Sequence, residues 1–128
     1  MLKILNKIQF SKHENKMKNI GSVEVAIKLF RESKSKNLGF LLKKRFSWMN
    51  DFIKPDDCGV ELGSGPGFSK EFIKNKNFKI SDLSDYDHLD YKNIDAQNTK
   101  FQAQTFDFVI ASNMIHHIPY PIKFFKEV

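Results

Sequence analysis

The chain carries one cysteine, one tryptophan and four prolines in 128 residues, and no long apolar run. A single thiol, Cys58, has no partner for an internal disulfide, so a reducing cytoplasm is the expected compartment. The longest uncharged run, 108–122, is broken by Asn113, His116, His117 and two prolines, and falls short of the roughly 18 apolar residues a membrane span needs. The opening MLKILNKIQF interrupts its apolar residues with Lys3 and Lys7, which is not the pattern of a secretory signal. The four histidines, His13, His88, His116 and His117, have no ordered ligand spacing, so no metal centre is expected. There is neither an internal repeat nor a low-complexity tract. The 41% apolar and 28% charged residues suit a packed core rather than a disordered chain.

The net charge of +6 is unevenly spread. Residues 1–54 hold 13 Lys+Arg against 4 Asp+Glu, whereas 55–128 hold 8 lysines against 11 acids. A uniformly basic nucleic-acid binder does not look like this. Of the 21 basic residues 19 are lysine, in a chain also rich in Asn, Ile and Phe, the bias of an AT-rich coding sequence. Solvated lysines account for that; the alternative is a basic N-terminal face meeting an anionic surface, a membrane or RNA.

The periodicity divides the chain into a basic helical segment over 1–54 and an α/β segment over 55–128. Ser22 is placed to cap a helix whose Val23, Ala26, Ile27 and Phe30 share one face. After Gly39 a second helix gathers Leu41, Leu42, Arg45, Phe46, Trp48, Met49, Phe52 and Ile53 on a broad apolar side, Trp48 in the core, and ends before Pro55. Strands are expected over 58–62, 78–81, 91–96 and 106–112, with a helix over 68–74 and another over 122–128. Cys58 is expected to be a small buried hydrophobe and Asp107 to cap or pair locally. Strands alternating with helices imply a doubly wound, mostly parallel α/β sheet. With four candidate strands and a last helix that lacks a stop signal, the sequence reads as the front part of a larger domain.

The most informative segment is Val60-Glu61-Leu62-Gly63-Ser64-Gly65-Pro66-Gly67. No Gly-Lys-Ser/Thr comes after it, which excludes a triphosphate loop, and Phe68 stands where the dinucleotide fingerprint needs its third small residue. Glu61 would also sit poorly beside a pyrophosphate. Nineteen residues after Gly63, Asp82 ends the second strand, where an acid accepts hydrogen bonds from ribose hydroxyls; Asp85 lies near the same tip. Asp95, with Ala96 next to it, closes the third and can accept from an adenine amino group. A glycine turn and three acids at one sheet edge describe a site for a nucleoside carrying positive charge.

These residues, with Ile94-Asp95-Ala96 and the run from Phe106 through Ser112-Asn113-Met114-Ile115-His116-His117-Ile118-Pro119, resemble the front of a class I S-adenosylmethionine-dependent methyltransferase of the type 11, quinone-methylase-like kind. The resemblance implies a Rossmann-like fold and S-adenosylmethionine as cofactor. It implies that Gly63, Ser64, Gly65 and Gly67 line the methionine part, Glu61 anchors its amino group, Asp82 holds the ribose, Asp95 and Ala96 the adenine, and Asn113 the floor near the sulfonium. Only 13 positions separate Asp82 from Asp95, too few for the family's usual helix, so a short turn with Tyr86 and Leu89 packing is expected there.

The chain lacks the Asp/Asn-Pro-Pro-aromatic segment of base amino-methylases and the Pro-Cys of cytosine methylation, which leaves a small-molecule or lipid-like acceptor. His116 and His117 are the candidates for a proton acceptor, against a structural role in which one of them packs or hydrogen-bonds. A non-catalytic cofactor-binding or interaction module with the same fold, and a nicotinamide-dependent oxidoreductase, are the alternatives.

Overall fold

The computed structural model describes residues 22–32 and 36–128. The lysine-rich residues 1–20, which belong to the basic N-terminal segment expected to be helical and to the candidate face for an anionic surface, lie outside the described residues. The chain divides into two compact units, Met1–Lys34 and Ser35–Val128.

In the first unit, α1 (Val23–Glu32) starts where the sequence places it. Ser22 Oγ accepts the Val25 N–H at 3.3 Å, and its carbonyl accepts the Ala26 N–H. The first of these satisfies one of the donors a helix start leaves open, and the second is the helix's first regular hydrogen bond.

The second unit begins with α2 (Lys36–Phe46), which runs through Gly39 rather than starting after it and tightens into a 3-10 turn, Ser47–Asp51. Three parallel strands come next, β1 (Gly59–Leu62), β2 (Phe78–Ser81) and β3 (Phe108–Ile110), in the order β2-β1-β3. Gly59 stands opposite both Phe78 and Phe108, and Glu61 opposite both Ile80 and Ile110. All four β1 residues are buried, as in a central strand covered on both faces. Val60 and Leu62 join Ala96, Met114 and Phe124 in one core, and Phe124 comes from α3 (Pro121–Glu127), which opens on a proline at its first turn. On the other face the Phe78 and Phe108 rings stack with centroids 5.9 Å apart. A Cβ on Gly59 would run into the Phe108 ring, so the glycine is what lets the two aromatics meet across the central strand.

Three expected elements are smaller. The helix over 68–74 is one 3-10 turn, Phe68–Glu71, because Asn50 intercepts the chain: its Nδ2 donates to the Phe72 carbonyl and its Oδ1 accepts the Lys74 N–H. The strand over 91–96 shrinks to a single parallel bridge, Ser81 to Tyr91. Asn93 then takes φ 57°, which ends the extended run, and nine residues between β2 and Tyr91 are too few for a crossover helix. Tyr86–Leu89 instead close a turn over the buried Leu89, as the shortened spacing implies. The last strand keeps three of its seven residues, since Asp107 turns aside to cap the chain, its Oδ2 accepting the Cys58 N–H at 2.7 Å.

Two packing expectations are corrected. Trp48 is 55% exposed, because the 3-10 turn carries it off the helical stripe and leaves it edge-on to Phe52. Cys58 is exposed rather than buried, one residue ahead of the covered strand.

Candidate functional site

The chain leaves β1 for β2 on one side and reaches β3 on the other, so the carboxyl end of β1 is the switch point of the sheet. A cavity of about 600 Å³ opens there. Glu61, Gly63, Ser64, Gly65, Asp82, Asp95, Ala96, Asn113 and His117 all line it, although the sequence scatters them over 57 positions. Gly67 and His116 do not, and Asp82 rather than Asp85 is the acid that faces the cavity.

The turn keeps its shape for steric reasons at both ends. Gly63 and Gly67 have φ near +70°; a Cβ would stand 2.9 Å from Met114 Cβ at the first and 2.7 Å from Ile80 Cδ1 at the second. Three of its donors are already engaged. Ser64 N–H goes to the Ser81 carbonyl, Gly65 N–H to Asp82 Oδ2 at 2.9 Å, and Gly67 N–H to the Ser64 carbonyl. Beyond Gly67 the chain makes a 3-10 turn of four residues rather than starting an α-helix. These three N–H groups therefore form no cradle for a phosphate, and no long helix dipole points at one.

Glu61 is the most unusual group in the site, a carboxylate 2% exposed in the central strand. Ser69 Oγ donates to its Oε2. Burial pushes its pKa from 4.5 up to about 7, against the Ser69 hydrogen bond; the Asp82 charge acts with burial and the Arg45 charge against it. The surrounding serines are fully used, Ser81 Oγ donating to the Glu61 carbonyl at 2.7 Å and Ser64 Oγ to the Ser81 carbonyl at 3.0 Å. Asp95 sits in a tight turn and accepts the Gln97 N–H at 2.8 Å.

Arg45 and Ser69 are cavity residues that the sequence does not single out as site residues. Ser69 gives no sequence signal. Arg45 gives one, a charged residue inside the apolar stripe of α2. With the Asn113 amide turned so that its oxygen faces the guanidinium, both Arg45 terminal nitrogens donate to it at 3.2 Å. Asn113 itself has φ 57°, which lifts its side chain from the end of β3 toward the cavity mouth.

The two adjacent histidines form an exposed 3-10 turn, Ile115–His117, with ring centroids 3.9 Å apart; neither is buried, contrary to a packing role, and His117 alone reaches the cavity. Among the described residues no three His, Cys, Asp or Glu side chains come together as a metal site, and no helix is long and apolar enough to cross a membrane.

The site therefore sets three carboxylates, one of them deeply buried, against one guanidinium around an apolar floor that includes Leu42, Phe46 and Met114. With Glu61 ionised, the charged side chains of the lining sum to a net negative charge. A family model described as a methyltransferase domain matches residues 60–128, from the second residue of β1 to the end of the sequence. No curated protein and no solved structure matches the chain significantly.

Proposed function

Because the chain belongs to the methyltransferase-domain family, we propose that it transfers a methyl group from S-adenosylmethionine to a small-molecule or lipid-like acceptor. The observation that carries the reading is the buried Glu61 beside a glycine turn in which the Ser64, Gly65 and Gly67 N–H groups bond within the protein. Such a site takes ammonium and hydroxyl groups in preference to a pyrophosphate, which argues against a nicotinamide dinucleotide.

The donor set fits the cofactor group by group. Glu61 and Arg45, of opposite charge, both line the cavity and suit the two ends of an amino-acid zwitterion: Glu61 would take the ammonium and Arg45 the carboxylate. Asp82 and Asp95 would accept from the ribose hydroxyls and the adenine amino group, with Ala96 beside the adenine. Gly63, Ser64 and Gly65 would line the methionine end and Asn113 would face the sulfonium, while Gly67, outside the cavity lining, leaves room for Ile80 beside the turn. When bound, the cofactor supplies an electrophilic methyl on a good leaving group. The chain's own part is to orient the acceptor and exclude water, through the apolar floor. His117, exposed at the cavity mouth, is the candidate acceptor of a proton from an acceptor hydroxyl or carbon acid; His116 lies outside the cavity and has no such place. The lone, exposed Cys58 thiol supports a reducing cytoplasm as the setting.

Incubation with methyl-tritiated S-adenosylmethionine and a fractionated cell extract tests the proposal. Label should enter the organic-soluble small-molecule and lipid fractions. Label confined to protein or nucleic acid would overturn the acceptor class.

A further inference from the structure

Gly65 differs from its two neighbours in the turn. Gly63 is hemmed in by Met114 and Gly67 by Ile80, but a Cβ on Gly65 would meet nothing within 4 Å, and its φ is +49°. Open space lies where its side chain would point, and hydrogen bonds hold the residue on both sides. Asp82 takes its N–H at 2.9 Å, and His88 Nε2 lies 2.8 Å from its carbonyl oxygen. A carbonyl oxygen only accepts, so Nε2 carries the proton and donates. The peptide units on both sides of Gly65 are thereby tied to one segment, residues 82–90.

That segment is anchored further. The His88 ring stacks on Tyr86, centroids 5.6 Å apart at 14°. Two residues on, Asp90 Oδ2 accepts from Lys70 Nζ at 2.7 Å, just past the glycine turn, and from the Ile80 N–H at 2.8 Å. Burial works to raise the Asp90 pKa, but the Lys70 hydrogen bond, the Ile80 N–H and the Lys70 and Lys79 charges hold it below the usual carboxylate range, so the tie is ionic. The short connection that has no room for a helix works as a brace for the turn.

We propose that His88, which lies outside the cavity lining, is a positioning residue: by fixing the Gly65 carbonyl it holds the turn in its ligand-accepting shape. The inference rests on the reading that this cavity takes S-adenosylmethionine. Calorimetric titration with S-adenosylhomocysteine at pH 8 tests it on the wild type, His88→Phe and His88→Gln. Phenylalanine keeps a ring against Tyr86 and lacks the donor; glutamine brings an amide N–H to about the place of Nε2. Loss of one hydrogen bond predicts a roughly tenfold weaker dissociation constant for His88→Phe. His88→Gln should recover most of that loss, with melting temperatures of both variants close to wild type, and ¹⁵N spectra of the wild type should show His88 as the Nε2–H tautomer. Equal affinity of all three proteins, equal weakening of both variants, or the Nδ1–H tautomer would overturn the proposal. A wild type that binds no S-adenosylhomocysteine would instead sink the cofactor reading, and this inference with it.

Discussion

Asp82 Oδ2 accepts the Gly65 N–H at 2.9 Å, while Oδ1 accepts the Ser84 N–H at 3.0 Å. The acid at the tip of β2 thus shapes the glycine turn before any ligand arrives, and each oxygen keeps a further lone pair for a ribose hydroxyl. Asp82→Ala removes both roles. Urea unfolding should show a loss of about 1–3 kcal/mol, and S-adenosylhomocysteine affinity should fall at least about tenfold. Intact affinity in a folded Asp82→Ala protein would contradict the assignment.

Glu61 makes stability and binding depend on pH in opposite directions. Its pKa rises from an ordinary 4.5 to about 7 in the fold, so between those values the folded chain holds a proton that the unfolded chain has lost. Stability therefore falls as pH rises through that window, by up to roughly 3 kcal/mol, and stays lower above it. Glu61→Gln should flatten this part of the pH–stability curve. A ligand ammonium needs the ionised form, so cofactor affinity should rise with pH up to about 7 and level off above it.

Arg45 lines the cavity, and the carboxylate contact proposed for it can be tested apart from the rest of the site. Arg45→Gln should weaken S-adenosylhomocysteine at least about tenfold and leave 5′-methylthioadenosine, which has no carboxylate, unchanged. Parallel losses for both ligands would assign Arg45 to general packing.

Gly59 is a test of the sheet rather than of the site. Gly59→Ala puts a methyl into the Phe108 ring, and overpacking of this kind costs about 1–3 kcal/mol. With Phe108→Leu in the same chain the penalty should shrink, a coupling that a double-mutant cycle of denaturation curves would read.

Much of this molecule is legible in its sequence, and the rest is hidden for identifiable reasons. The glycine turn, Glu61 and Asp82 can be placed because strand ends and turn residues carry local signals, and the sheet brings strand ends together; Asp95 reaches the same cavity from a tight turn instead. The expected strand over 91–96 fails, since the left-handed Asn93 and the short link ahead of it act below the resolution of alternation patterns. The helix over 68–74 loses to Asn50, a side chain some 20 residues away that no local propensity can register. Trp48 looks like core only when its helical stripe is extended through a 3-10 turn, where the period changes. His88 gives no sign of being a turn partner because its hydrogen bond reaches back 23 residues to a backbone carbonyl.

The central claim is that the acidic cavity at the end of β1 takes S-adenosylmethionine. Calorimetric titration of the protein with S-adenosylmethionine at pH 8, with NADH as the comparison ligand, tests it most directly. The predicted result is saturable one-to-one binding in the micromolar range, weakened at least about tenfold in Asp82→Ala, and no heat from NADH. Absence of S-adenosylmethionine binding, or NADH binding of equal strength, would contradict it.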